Sequence, residues 1–387
     1  MQKYLECKLD NYNSLNRCHT SFRCYSMTFM SSRERFARYM RFKDVDRPPY
    51  YEFLGFWVET VNRWRGEGLP AGVDVYDYFG FDKRESFPMD YGPIPRFIPR
   101  VLEENDRYRI EVNDMGITMR VLKTSTSMPT FINFPVKNWS DWIRIRGRFD
   151  PRDIRRYPKT WSPELIDYYR ATDRVVGLSM PGFFGQARYL MGLERLLISF
   201  YRDPGLIHDI MDFWADFLIE ASRDIVENVK LDYVSIWEDM CYNRGPHISP
   251  KLFEEFMLPC YKKLTGFLRS RGIDIIMVDT DGNHEVLNDL FIEGGVNCIY
   301  PLEAAAGMDA VRLRERYGEK LLMIGNIDKR VLATGGSALR REVERKIKLT
   351  EEGGYIVSVD HAVSADISFR NYVEYITIVR ERFKIGK

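Results

Sequence analysis

Five apolar runs in the second half of the chain end in side chains that can move protons or bind metal. Val234-Ser235-Ile236-Trp237 runs into Glu238-Asp239, and residues 273–278 into Asp279-Thr280-Asp281-Gly282-Asn283-His284. Cys298-Ile299-Tyr300 leads to Pro301-Leu302-Glu303, residues 321–324 to Gly325-Asn326-Ile327-Asp328, and residues 355–359 to Asp360-His361. Alternate residues of a strand point the same way, so Asp279 and Asp281 would converge, to bind a divalent cation or share a proton. Asp281 equally suits a cap for a helix starting near His284, with Gly282-Asn283 as a turn. Behind Trp237, a carboxyl of Glu238 or Asp239 lies against apolar surface, which raises its pKa as a general acid requires. One of the two is expected to act and the other to pair structurally, with Arg244 nearby. In Asp360-His361 the carboxylate can orient an imidazole that titrates near neutrality. Glu303, Asn326 and Asp328 complete a rim suited to holding substrate.

Buried strands whose C-terminal ends all carry capable residues are the arrangement of a (β/α)8 barrel, where those ends converge on one site. From residue 175 strands and helices alternate: strand 175–180, helix 206–229, a strand at 233, helix 250–271 and strand 273–278. Helix 284–293, strand 297–301, helix 309–317, strand 321–325, helix 336–352, strand 355–359 and helix 368–384 follow. Such alternation implies a parallel sheet. Upstream, Ser31 caps a helix, Pro48-Pro49 ends that segment, residues 50–57 read as a first strand, and 73–79 as a short helix. Residues 107–124 alternate around Asn113-Asp114-Met115-Gly116, a β-hairpin inserted on the barrel rim. The expected organisation is an N-terminal extension over 1–29 and a single α/β TIM barrel over 30–387.

Balanced charge, 57 basic against 56 acidic residues, gives no electrostatic case for nucleic acid or an anionic membrane. No apolar stretch has the length of a membrane span, and residues 1–30 lack the apolar core of a secretory signal. The six cysteines show no CxxC spacing, so reduced thiols and a cytoplasmic location are expected. No nucleotide-binding loop, GxSxG elbow or HExxH occurs.

Other segments resemble a known family. Ser32-Arg33-Glu34-Arg35-Phe36, Val45-Asp46-Arg47-Pro48-Pro49, Ile248-Ser249-Pro250-Lys251-Leu252-Phe253, Pro301-Leu302-Glu303, Ala306-Gly307-Met308-Asp309, Tyr317-Gly318 and Ile324-Gly325-Asn326-Ile327-Asp328 are similar to the uroporphyrinogen decarboxylase superfamily, over roughly residues 31–385. That resemblance implies a (β/α)8 enzyme, either a decarboxylase or a corrinoid-dependent methyltransferase, and a homodimer. The decarboxylases carry arginines after the first strand; Glu52-Phe53-Leu54-Gly55-Phe56-Trp57 stands there instead. The thiol-methylating branch binds zinc through His-x-Cys-Gly, which falls on Asp279-Thr280-Asp281-Gly282, and a later Cys that falls near Asp360-His361. With both thiolates replaced, the site is harder and suits oxygen or nitrogen chemistry. The expected activity is a methyltransferase that takes a methyl group from a small ether or amine and delivers it to a corrinoid carried by a partner protein. The alternative is a carboxy-lyase acting on a carboxylated aromatic or tetrapyrrole-like substrate, which needs no cofactor. Catalytic roles fall to Glu238, Asp239, Asp279 and His361. Substrate contacts fall to Glu52, Trp57, Trp237, Glu303, Asn326 and Asp328. A divalent metal, zinc or manganese, would be held by Asp279, Asp281 and His361, with Glu238 as a further ligand.

Overall fold

The computed structural model describes residues 29–123 and 128–386. Seven parallel strands form one curled sheet, each hydrogen-bonded to the next in chain order: Arg84–Ser86, Val175–Pro181, Tyr233–Trp237, Ile276–Asp279, Cys298–Tyr300, Leu322–Ile327 and Tyr355–Val359. Their runs are apolar throughout because both faces are covered. Val175, Tyr233, Met277, Cys298, Leu322, Ile324 and Ile356 turn into the lumen and pack with Phe36, Tyr51 and Phe53. Val176, Val234, Val278, Ile299, Met323 and Val357 face outward beneath the helices.

Residues 50–57 lie between the first and last of these strands and complete the (β/α)8 barrel. They were expected as a regular strand, but only an isolated parallel bridge, Phe56 to Val363, forms there. Side chains supply the missing ladder. Phe53 N donates to Ser358 Oγ at 3.1 Å, and Val359 N donates to Glu52 Oε1 at 3.2 Å. On the other edge, Asp82 N donates to the Tyr50 carbonyl at 2.9 Å.

The outer helices follow their sequence signals. Pro204–Asn228 begins with Asp203 accepting from Leu206 N and with proline in its first turn, and it buries Leu206, Ile207, Ile210, Met211 and Trp214 at helical spacing. The helix expected over 250–271 is interrupted by a π-helical turn, Phe253–Met257. Ser32–Tyr39, capped by Ser31, plugs the N-terminal end of the lumen with Phe36, Tyr39 and Met40. Arg35 in this plug pairs with Asp46 at 2.7 Å and Asp82 at 2.9 Å, and Arg47 grips Asp82 at 2.6 Å. Two of the family-like segments near the N-terminus thus lock the barrel floor.

The hairpin is present as Tyr108–Val112 and Thr118–Leu122, at the centre of a four-stranded antiparallel sheet with Arg100–Glu104 and Thr130–Asn133 at its edges. The edge strands are exposed at every residue, so no period-two pattern marked them. The extension expected over 1–29 lies, except for Phe29, outside the described residues. No helix among the described residues is long and apolar enough to cross a membrane.

Candidate active site

Three adjacent strand ends set one level of the barrel mouth. Asp279 is in register with Trp237 on one side and Tyr300 on the other. The backbone N–H groups of Glu238 and Asp239 both donate to the Asp279 carbonyl, and Thr280 N donates to that of Tyr300. Trp237, Asp279 and Tyr300 occupy positions that face the lumen. Burial pushes the Asp279 carboxyl up to about 7, and the negative charges of Asp281 and Asp239 push the same way; His361 and a hydrogen bond from Tyr300 oppose them. A carboxyl in that range can donate a proton near neutrality.

Beside it stands a second group. Gly282, at φ +76°, turns tightly against the Tyr242 backbone, and a Cβ there would lie 2.7 Å from it. Its N–H donates to Glu303 Oε2 at 2.8 Å. His361 Nε2 lies 3.5 Å from Asp281 Oδ2. Ala362 N donates to His361 Nδ1 at 2.8 Å, which places the proton of the neutral ring on Nε2, toward Asp281. The bond to Asp281 raises the imidazole pKa against its burial. Asp281, Glu303 and His361 each offer one donor atom, all within 4.8 Å of one another. Lys329 Nζ stands 3.5 Å from Glu303 Oε1. Beneath them, fully buried Asp360 accepts from Ala304 N at 3.0 Å and Lys329 N at 3.1 Å, which ties the two loops that carry Glu303 and Lys329. Burial lifts its carboxyl to about 6.

Not every expected residue joins this space. Glu238 is fully buried and accepts from the N–H groups of Phe183, Phe184 and Gly185, at 2.9, 2.7 and 3.0 Å, and from the Tyr261 hydroxyl at 2.5 Å. It caps the helix Phe183–Met191, and Gly182 makes room for it, since a Cβ there would lie 2.3 Å from its carboxyl carbon. Asn326, also fully buried, is saturated by Ala310 N and the carbonyls of Leu302 and Met308. Asp328 caps the helix Lys329–Thr334 and pairs with Arg330 at 2.7 Å. Glu52, 1% exposed, is held by Ser358, Val359 and the Tyr372 hydroxyl, burial raises it to about 7, and it borders a separate cavity of about 580 Å³. Trp57 is exposed at the start of the helix Val58–Glu67. His284 is fully buried on Asn288, and burial lowers its pKa to about 4.

Asp239, at φ +45°, pairs with Arg188 at 2.6 Å rather than with Arg244. The Arg188 guanidinium sits 5.3 Å from the Trp237 ring, which stacks on Tyr189 at 5.0 Å. Phe131 and Phe134, from the edge of the antiparallel sheet, join Arg188, Tyr189, Trp237 and Asp239 around a cavity of about 800 Å³. A second cavity, about 580 Å³, runs into the lumen past Phe53, Arg84, Ser86, Ser179, Tyr233 and Tyr300. Arg84, Arg188, Ser179, Tyr300 and Lys329 were not foreseen. Tyr300 and Ser179 sat inside strand runs, where inward parity was their signal.

The strand ends of this parallel α/β barrel thus carry a raised carboxyl and a carboxylate–imidazole pair, with Trp237 and Asp239 lining one ligand-sized cavity and Tyr300 another. The uroporphyrinogen decarboxylase family model matches residues 109–382, and the chain belongs to that family. It is 24% identical to the uroporphyrinogen decarboxylase of Maricaulis maris over 179 residues, 46% of this chain and 48% of that protein. It is 26% identical to that of Hydrogenovibrio crunogenus over 191 residues, 47% of this chain and 50% of that protein. The chain thus spans about half the length of these curated relatives. The fold is also that of a methyltransferase from Methanosarcina mazei, with a TM-score of 0.58 at 13% identity, covering 92% of this chain and 99% of that one.

Proposed function

We propose that this barrel activates the methyl group of a small methylated ether or amine for transfer to a corrinoid carried by a partner protein. The observation that carries the reading is the Asp279 carboxyl, in register with Trp237 and Tyr300 and raised to about 7 by burial, at strand ends that also carry the Asp281–His361–Glu303 group. Breaking a C–O or C–N bond leaves charge on the heteroatom, and Asp279 would deliver its proton there as the methyl group departs. His361, with its Nε2 proton directed at Asp281, would restore the proton between turnovers. Trp237 stacked on Tyr189, and Asp239 paired with Arg188, would wall the larger cavity. Glu238, Asn326 and Asp328 would act as positioning residues.

Asp281 and Glu303 offer two hard carboxylates to a divalent cation, and His361 Nε2 would join them once its proton has moved to Nδ1 and the bond from Ala362 N is given up. Zinc or manganese bound there would polarise the leaving heteroatom. Lys329 beside Glu303 already supplies part of the positive charge that such a cluster needs.

A carboxy-lyase is the second reading, favoured by the match to decarboxylases. Asp279 would then protonate the carbanion left by loss of CO2. The two readings separate when the full chain is incubated with cob(I)alamin and a panel of methyl ethers and methylamines, with the corrinoid spectrum and CO2 followed together. Corrinoid methylation that falls at least a hundredfold in Asp279→Asn supports methyl transfer. CO2 release from carboxylated substrates, with no change in the corrinoid, would replace it with the lyase.

A further inference from the structure

Arg84 opens its strand in register with Val175, whose side chain packs inside the lumen, so it too points inward. Its guanidinium lies 4.1 Å from the Phe53 ring centroid and donates to the Phe53 carbonyl. It makes no ion pair among the described residues, and one backbone acceptor leaves most of its five N–H donors unmatched. The carboxyl of Glu52 feels its charge, but the Glu52 oxygens are engaged by Ser358, Val359 and Tyr372.

The surroundings suit a ligand. Ser179 faces the lumen opposite Ser235 and is exposed, although its neighbours Leu178 and Met180 are buried. Tyr300, in register with Asp279, shares a hydrogen bond of 2.7 Å with Ser235. Phe53, Tyr233 and Tyr300 wall the cavity of about 580 Å³, a size typical of small-molecule sites. Glu52, Asp74, Asp77, Asp82 and Glu85 also line this cavity, but they are engaged by Tyr372, Tyr76 N, Lys83, Arg47 and Tyr168. The Arg84 guanidinium, which none of them pairs, matches a planar anion through paired N–H bonds.

We infer that the lumen below Asp279 is an anion subsite anchored by Arg84 and flanked by the Ser179 and Tyr300 hydroxyls, which selects small carboxylates. Placing the methylated heteroatom of such a carboxylate at Asp279, one tyrosine away, rests on the methyl-transfer reading. The subsite itself does not. The substrate class is therefore a small, preferably aromatic acid with its ether or amine at the end remote from the carboxylate.

The test is calorimetric titration of the full chain with benzoate and with benzamide, its uncharged analogue. Wild type should bind benzoate on the order of tenfold to a hundredfold more tightly, the range of a charge-assisted bond. Arg84→Gln should erase the preference, Arg84→Lys should keep part of it, and Asp279→Asn should leave it intact. If Arg84→Gln is unfolded by circular dichroism, Ser179→Phe, which fills the cavity, should abolish benzoate binding with the fold retained. Equal binding of both ligands by wild type, or no binding of either, overturns the subsite. So does a benzoate preference that survives in folded Arg84→Gln or Ser179→Phe. A clear preference alongside an absence of methyl transfer removes only the functional reading, whereas transfer without the preference removes only the subsite.

Discussion

The strand end at Glu238 and the one at Asp279 look alike as sequence, each an apolar run passing into acidic residues, yet the fold uses them in opposite ways. Glu238 meets three amide N–H groups and a tyrosine hydroxyl, so its lone pairs are spent on capping a helix. Asp279 meets one tyrosine and two like charges, so it holds its proton to near neutrality and stays available. Burial raises both. What separates a structural carboxyl from a chemical one here is the supply of donors around it, not its depth.

Four substitutions can break or sharpen that contrast. The largest effect belongs to Glu238→Ala, which strands three buried N–H groups and the Tyr261 hydroxyl. A loss of about 3 kcal/mol or more in chemical denaturation is expected, and a loss under about 1 kcal/mol would show that the cap is dispensable.

Asp279→Asn should do the reverse. A carboxyl raised to about 7 in the folded state, against about 4 unfolded, contributes stability that is present below pH 4 and lost as pH rises through 7. The variant never ionises, so it should be more stable than wild type at pH 8, by up to about 4 kcal/mol, and no more stable than wild type at pH 4. Its activity should drop at least a hundredfold. The wild-type rate should fall as pH rises past 7.

A smaller change is expected in Asp281→Asn. Loss of the partner at 3.5 Å should lower the His361 titration midpoint seen by NMR, and zinc or manganese retention on dialysis should weaken. An unmoved midpoint would sever the pair. Asp239→Asn should shift Asp279 downward least, because Asp239 ranks below burial and Asp281 among its causes and keeps Arg188 as its own partner.

Much of this architecture was legible beforehand. The inner strands announced themselves as short apolar runs, because a parallel sheet is covered on both faces, and the strand Tyr355–Val359 lies where it was expected. The stave at 50–57 was recognised by residue type. Its replacement of ladder bonds by Glu52 and Ser358 was not, because such bonds reach across about 300 residues of chain. The exposed edge strands Arg100–Glu104 and Thr130–Asn133 carried no alternation to read. At the site, residue types at strand ends pointed to Asp279, Asp281, Glu303 and His361. Nothing local revealed that Glu238, Asn326 and Asp328 would be engaged by backbone or neighbouring side chains. Arg84 and Arg188 escaped notice for the converse reason: one cation among 57 basic residues has no signature until the barrel brings it to the lumen.

The most direct test of the central claim is the titration of the Asp279 carboxyl carbon by NMR, assigned by its loss in Asp279→Asn. A midpoint near 7 that falls in Asp281→Asn is the expected result; a midpoint near 4, unchanged in that variant, would contradict a neutral acid at the barrel mouth.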